Sequence, residues 1–329
     1  MKIEKRDEYS AIKVIATLLV VIGHVTKFYN TGGGIVDIQP NPIIGGTANL
    51  IYSFHMPLFV FISGAIYSFN VNIMGKYNDI RNFLISKFKR LMIPYFIWGI
   101  GYVTPVVVLL GITKLSAVEY IVRCILLGGD SRHLWYLWTL FCIFVIAALI
   151  RKAAKRIHKG MLIMGFYIIL MVLYIFSGLA PIWNILYYGT FFACGYIFDI
   201  YKKRIDIFLN KKWIADIGIA LVFGLQFILK NNICLDFLVA LSGILLSYLI
   251  VGRLLGKILK IKFYSVVARD SFGIYLIHPM IIYLIFYYWG DSTFNPYIFS
   301  ILVLGIVLIL SCLATELIRK LHCKFLLGE

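Results

Sequence analysis

The sequence predicts an all-α, polytopic integral membrane protein of about ten transmembrane helices, and three observations carry that reading. The 329 residues are 61% hydrophobic and only 14% charged, and the mean hydropathy is +0.91. A soluble chain of this length needs far more charged surface. The stretches 12–25, 52–69, 96–112, 134–150 and 298–313 are long and almost free of charge. A helix needs roughly 20 apolar residues to cross a bilayer. Backbone polar groups in lipid must be satisfied internally, which leaves helices or a closed barrel. Barrel strands alternate with period two, whereas these runs are apolar on every side, so helices are predicted. The third observation is the charge distribution, taken up after the spans.

In chain order the spans fall at 8–29, 48–70, 91–112, 133–150, 161–178, 182–200, 213–229, 233–251, 270–289 and 296–318. The segments 1–7, 71–90, 151–160, 201–212, 252–269 and 319–329 then lie on one side, and they hold 26 of the 32 basic residues. Lys27, Lys114, Arg123, Arg132 and Lys230 lie on or near the other side, and Lys13 within the first span. Basic residues concentrate on the cytoplasmic side of membrane proteins, so the asymmetry places both termini in the cytoplasm and makes the helix count even. The formal net charge of +17 is therefore mainly a topology device whose default partners are anionic headgroups, not nucleic acid.

One membrane domain over 1–329 is expected, with no separate soluble domain. The basic segments 71–90 and 252–269 carry apolar residues at helical spacing and are read as interfacial helices. The segment 30–47, with its glycines and two prolines, is read as an irregular outer loop. No internal repeat of the kind common in secondary transporters is evident. The six cysteines (Cys124, Cys142, Cys194, Cys234, Cys312, Cys323) show no CxxC and no metal spacing with histidine, so no metal is expected. The first apolar run has no convincing cleavage site and is read as a retained helix.

Ionisable groups inside a span cost a few kcal/mol, about 2.5–3.5 on insertion scales, so each is a candidate for function. Lys13 and His24 are eleven residues apart, which brings both to one face of the first helix, roughly 16 Å apart along its axis. Ser10 and Thr17 share that face. Lys13 is either a functional cation or a side chain that snorkels to the inner headgroups. His24 is either a packed polar residue or a proton-transfer group, the side chain best suited to that task near neutral pH. His55 precedes Pro57, and His278 precedes Pro279. Each is a channel group or a helper to backbone freed by the proline. His133 opens the fourth span beside Trp135, where an interfacial aromatic belt also accounts for the tryptophan. The chain has no GxSxG, HExxH or GxxxxGK[ST] motif and no dense pair of carboxylates, which removes the hydrolase, metalloprotease, P-loop and glycosidase readings.

Five segments in order resemble the membrane acyltransferase-3 family, and more narrowly its fucose-4-O-acetylase-like and capsule-modifying branch. They are Ile12-Lys13 running on to Ile22-Gly23-His24, Phe54-His55-Met56-Pro57-Leu58 through Ser63-Gly64, Lys87-Phe88-Lys89-Arg90 running to Pro94-Tyr95, His133-Leu134-Trp135-Tyr136-Leu137, and Ser271 through Tyr275 to His278. They resemble the family's Arg-x10-His, HMPLFFFxSG, RxxR, HxWFL and SxGIYLxH elements. Lys13 and Lys87 stand where many members carry arginine, and lysine lacks the planar fork that grips phosphate in two places. The soluble esterase-like domain that some members carry is not expected here. The resemblance implies an O-acyltransferase at the cytoplasmic membrane. It would move an acyl group, usually from acetyl-CoA, to a hydroxyl of an extracytoplasmic or membrane-linked glycan. His24 is then the general base or a transient acyl carrier. Lys13, Lys87, Arg90, Tyr275 and His278 are assigned to the donor, and His55, Ser63, His133 and Trp135 to the acceptor side. A transporter or membrane substrate-binding protein without chemistry is the alternative.

Overall fold

A computed structural model describes residues 2–31, 36, 38–153, 180–209, 216–217, 220, 224, 233–290 and 294–329. Among the described residues every regular element is a helix, and there is no strand. In chain order the helices are α1 (Lys2–Lys27), α2 (Pro42–Tyr52), α3 (His55–Asn72), α4 (Ile80–Lys87), α5 (Ile93–Trp98), α6 (Thr104–Leu109), α7 (Ala117–Tyr120), α8 (Trp135–Ala153), α9 (Ala180–Leu209), α10 (Ile233–Ile258), α11 (Lys262–Trp289) and α12 (Pro296–Lys320). Among the described residues seven segments are long and apolar enough to cross a membrane: Asp7–Lys27, Pro42–Asn72, Ile80–Leu109, Arg132–Ala153, Leu235–Ile258, Lys262–Trp289 and Pro296–Lys320. The expected span 161–178 and all of 213–229 except residues 216–217, 220 and 224 lie outside the described residues, and 182–200 falls within α9.

Three element boundaries differ from the sequence reading. The expected loop 30–47 gives way to helix at Pro42, because the Asn41 side chain accepts the amides of Ile43 and Ile44 and proline suits the first helical position. The segments 71–90 and 252–269 are not separate interfacial helices. The first holds a turn and then α4, capped by Asp79, which runs on into the third span. The second is shared between the end of α10 and the start of α11. The third span also contains π-helical turns at Phe88–Met92 and Gly99–Val103, just before Pro94 and Pro105. Proline lacks an N–H and its ring crowds the carbonyl four residues back, and a widened turn relieves that crowding.

The chain divides into two compact units, residues 1–68 with 194–317, and residues 69–193 with 318–329. In the first unit α1 packs against α2, α10 and α11. The core there joins Val21 and Val25 of α1, and Phe28 just past its end, to Ile274, Ile282 and Phe286 of α11 and Phe299 and Val303 of α12. Ser10 pairs with Tyr264 and His24 with His278, so equal steps along α1 and α11 match and the two helices run parallel. α12 returns antiparallel, with Phe299 beside Phe286 and Glu316 beside Arg269. The first turns of α1 and α11 and the last turns of α12 therefore share one end of this unit. The second unit is pinned by Tyr95 donating to the Ile125 carbonyl at 2.9 Å and Trp98 to the Leu326 carbonyl at 2.8 Å.

Candidate active site

Two members of the polar stripe of α1, Ser10 and His24, meet residues of α11. Tyr264 donates to Ser10 at 3.2 Å, Thr17 is 2% exposed and donates to the Lys13 carbonyl at 2.9 Å, and Lys13 is half-buried. At the far end of the stripe His24 meets a cluster of rings. Its centroid lies 5.0 Å from His278, edge to face, and 5.9 Å from Tyr52, and Tyr52 lies 4.7 Å from His55. Tyr275 stands one turn before His278 at 6.5 Å. The Lys27 ammonium sits 4.8 Å from the centre of the Tyr52 ring.

All three histidines are anchored alike. Nδ1 of His24 bonds the Val20 carbonyl at 2.9 Å, Nδ1 of His55 the Ile51 carbonyl at 2.8 Å, and Nδ1 of His278 the Ile274 carbonyl at 2.7 Å. A carbonyl oxygen only accepts, so each Nδ1 carries the proton and each neutral ring keeps its lone pair on Nε2. Each carbonyl does for its ring what a carboxylate does in a catalytic triad: it sets the tautomer and the orientation. His278 and His55 are buried, whereas His24 is half-buried and so more accessible to a reactant. Ser63, two turns along α3 from His55, turns its hydroxyl back on the Phe59 carbonyl at 2.8 Å.

The remaining predicted residues belong to the second unit. The Lys87 ammonium is caged by three rings, 4.3 Å from Phe144, 5.4 Å from Tyr77 and 5.5 Å from Phe83. Arg90, on the π-helical turn, is exposed. His133 is buried in a short 3-10 turn entered through Arg132, whose φ of 51° is left-handed. Trp135 is half-buried and packs on Tyr188 at 4.8 Å.

Two features were not anticipated. Tyr52 lies at the centre of the histidine cluster, and a lone tyrosine in an apolar run carries no signal in sequence. The second is an ionic network at the opposite end of α1. Lys202 is 2.9 Å from Glu8 and 2.8 Å from Asp206, and donates to Tyr248 at 2.6 Å. Tyr248 donates to Asp206, and Tyr9 to Asp199, each at 2.6 Å. Burial works to depress the Lys202 ammonium, but Asp206, Tyr248 and Glu8 outweigh it and raise its pKa above the ordinary lysine value. Among the described residues no three His, Cys, Asp or Glu side chains are placed to hold a metal ion.

A family model of the acyltransferase domain, acyltransferase-3, matches residues 6–316. No curated protein and no solved structure matches the chain.

Proposed function

Because the chain belongs to the acyltransferase-3 family, we propose that it is a multi-pass membrane O-acyltransferase in which His24 is the general base. The observation that carries the proposal is the His24 ring: half-buried, anchored through Nδ1 on Val20, with Nε2 left as the lone-pair nitrogen. In the proposed reaction the acceptor hydroxyl oxygen bonds to the acyl carbon as the carbon–sulfur bond breaks. His24 takes the hydroxyl proton at Nε2 and returns it to the departing thiolate, so protons balance and the imidazole is regenerated. The donor is an acyl-CoA, acetyl-CoA in the simplest case, entering from the cytoplasm. The acceptor is a hydroxyl of an extracytoplasmic or membrane-linked glycan, following the fucose-4-O-acetylase-like branch that the segments around His24 and His55 resemble.

The other roles are proposed from charge and from the family resemblance. Arg90 is exposed and offers a fork suited to the phosphates of the donor. Lys87 contributes charge from within its cage, and Lys13 offers a cation on the stripe that leads to His24. Tyr275 and His278 line the donor's approach, and His55, Ser63, His133 and Trp135 are assigned to the acceptor. We place the chain in the cytoplasmic membrane with both termini inside, following the basic residues.

The decisive experiment follows labelled acetyl-CoA in nanodiscs, wild type beside His24→Ala. Removing a general base is expected to cost about 10²–10⁴ in turnover. Label retained on the wild-type protein and lost with His24 would make the histidine an acyl carrier. Turnover that persists in His24→Ala removes the assignment, and no turnover with any acyl-CoA favours a transporter.

A further inference from the structure

We propose that Tyr52 is a positioning residue for His24, holding the imidazole through its ring rather than its hydroxyl. The inference rests on the acyltransferase reading and adds to it a residue that lies in none of the five family-like segments. A histidine χ2 torsion is broad and roughly two-fold, so the single bond from Nδ1 to Val20 leaves the ring free to rock. Two rings remove that freedom. His278 meets His24 at 83° and Tyr52 at 53°.

The Tyr52 ring is itself held from several sides. It stands on the last turn of α2, which is capped at its start by Asn41 and continues through Ser53 as its C-cap. The His55 ring meets it at 69°, and the Lys27 ammonium covers it. The α1 backbone also comes close to the ring. At Gly23, the residue before His24, a Cβ would fall 3.3 Å from Tyr52 Cε2 and 3.0 Å from Ile51 Cγ2. Glycine there leaves the space into which the end of α2 seats, and the seat is adjacent to the proposed base. Reacting groups need placement to within about 0.5 Å, and a misplacement of about 1 Å costs on the order of 10²-fold in rate.

The test uses three variants of the full chain in nanodiscs: Tyr52→Phe, Tyr52→Leu and Gly23→Ala. Each is assayed with labelled acetyl-CoA beside wild type and His24→Ala, with thermal midpoints measured in parallel. Tyr52→Leu removes the ring, and Gly23→Ala crowds it by a few tenths of an ångström without changing it. Tyr52→Leu is expected to lower kcat by about 10- to 100-fold and Gly23→Ala by less, about three- to tenfold, while KM for acetyl-CoA stays within about threefold. Tyr52→Phe keeps the ring and is expected to hold kcat within about threefold of wild type.

The proposal is overturned if Tyr52→Leu and Gly23→Ala both retain wild-type kcat, if their losses lie in KM, or if Tyr52→Phe is as damaging as Tyr52→Leu. Should Tyr52→Leu fail to fold, Gly23→Ala against Tyr52→Phe decides it by the same criteria. Wild-type turnover that depends on His24 but not on the Tyr52 ring sinks this inference alone. Equal turnover in wild type and His24→Ala sinks the acyltransferase assignment of His24, and the positioning role with it.

Discussion

Lys87 and Arg90 carry the same charge in the sequence, three residues apart, yet the structure gives them different surroundings. The Lys87 ammonium is caged by Phe144, Tyr77 and Phe83, whereas Arg90 is exposed. A cation–π contact is worth about 0.5–2 kcal/mol, depending on desolvation, so Lys87 contributes to the packing of its own unit. A hydrogen bond to a charged group is worth about 1.5–3 kcal/mol. If Arg90 grips the donor phosphates, Arg90→Ala should raise KM for acetyl-CoA by about tenfold or more. Lys87→Met should act more on the thermal midpoint than on KM, which parallel titrations and melting curves will separate. An equal rise in KM for both would mean that Lys87 leaves its cage to bind the donor. The same contrast separates His24 from His278 and His55: all three have a fixed tautomer, but of the three only His24 is half-buried rather than buried.

Helix α1 is held at both ends by different physics. At one end its rings pack with Tyr52 and His278. At the other, Glu8 and Tyr9 join it to α9 and α10 through Asp199, Lys202, Asp206 and Tyr248. Lys202→Met removes the cation that Glu8 and Asp206 share, and because both carboxylates are partly exposed the expected loss is about 1–3 kcal/mol, below that of a fully buried pair. A lowered thermal midpoint in detergent checks this, and Lys202→Arg, which keeps the charge, should recover part of it. The raised pKa of Lys202 lies above an unfolded value of roughly 10.4, so its stabilisation is present below that and is lost only as pH rises through the folded value. Between about pH 6 and 9 the clamp should therefore hold, and a midpoint that falls across that window would point to another group. A second element-level contact is steric. A methyl on Gly195 of α9 would fall on the Phe61 carbonyl of α3. Small residues let helices approach closely in membranes, so Gly195→Ala is expected to cost about 1–3 kcal/mol.

Across the whole molecule, membrane class, helicity and family were legible in the sequence. Apolar runs such as 134–150 admit only one solution in lipid, because every backbone group must be bonded within its own segment. The Lys13–His24 stripe was legible for the same geometric reason, since a helix has one period and residues eleven apart share a face. Its inner end is predicted to be cytoplasmic, and tags on both termini should be shielded from an external protease in intact cells; cleavage of either would overturn that topology. Contacts between distant segments were not legible. Nothing in Tyr52 or Gly23 separates them from other tyrosines and glycines until α2 is seated against α1. Glu8, Asp199, Lys202 and Asp206 stand near the ends of apolar runs, where charged side chains ordinarily meet headgroups and water, so their mutual pairing left no mark along the chain. Periodicity and hydropathy are properties of one segment and its solvent, and they determine where helices form and which faces are polar. The side chains that meet across helices, and hence which histidine stays reachable, depend on packing between segments far apart in the chain, and that only the folded structure decides.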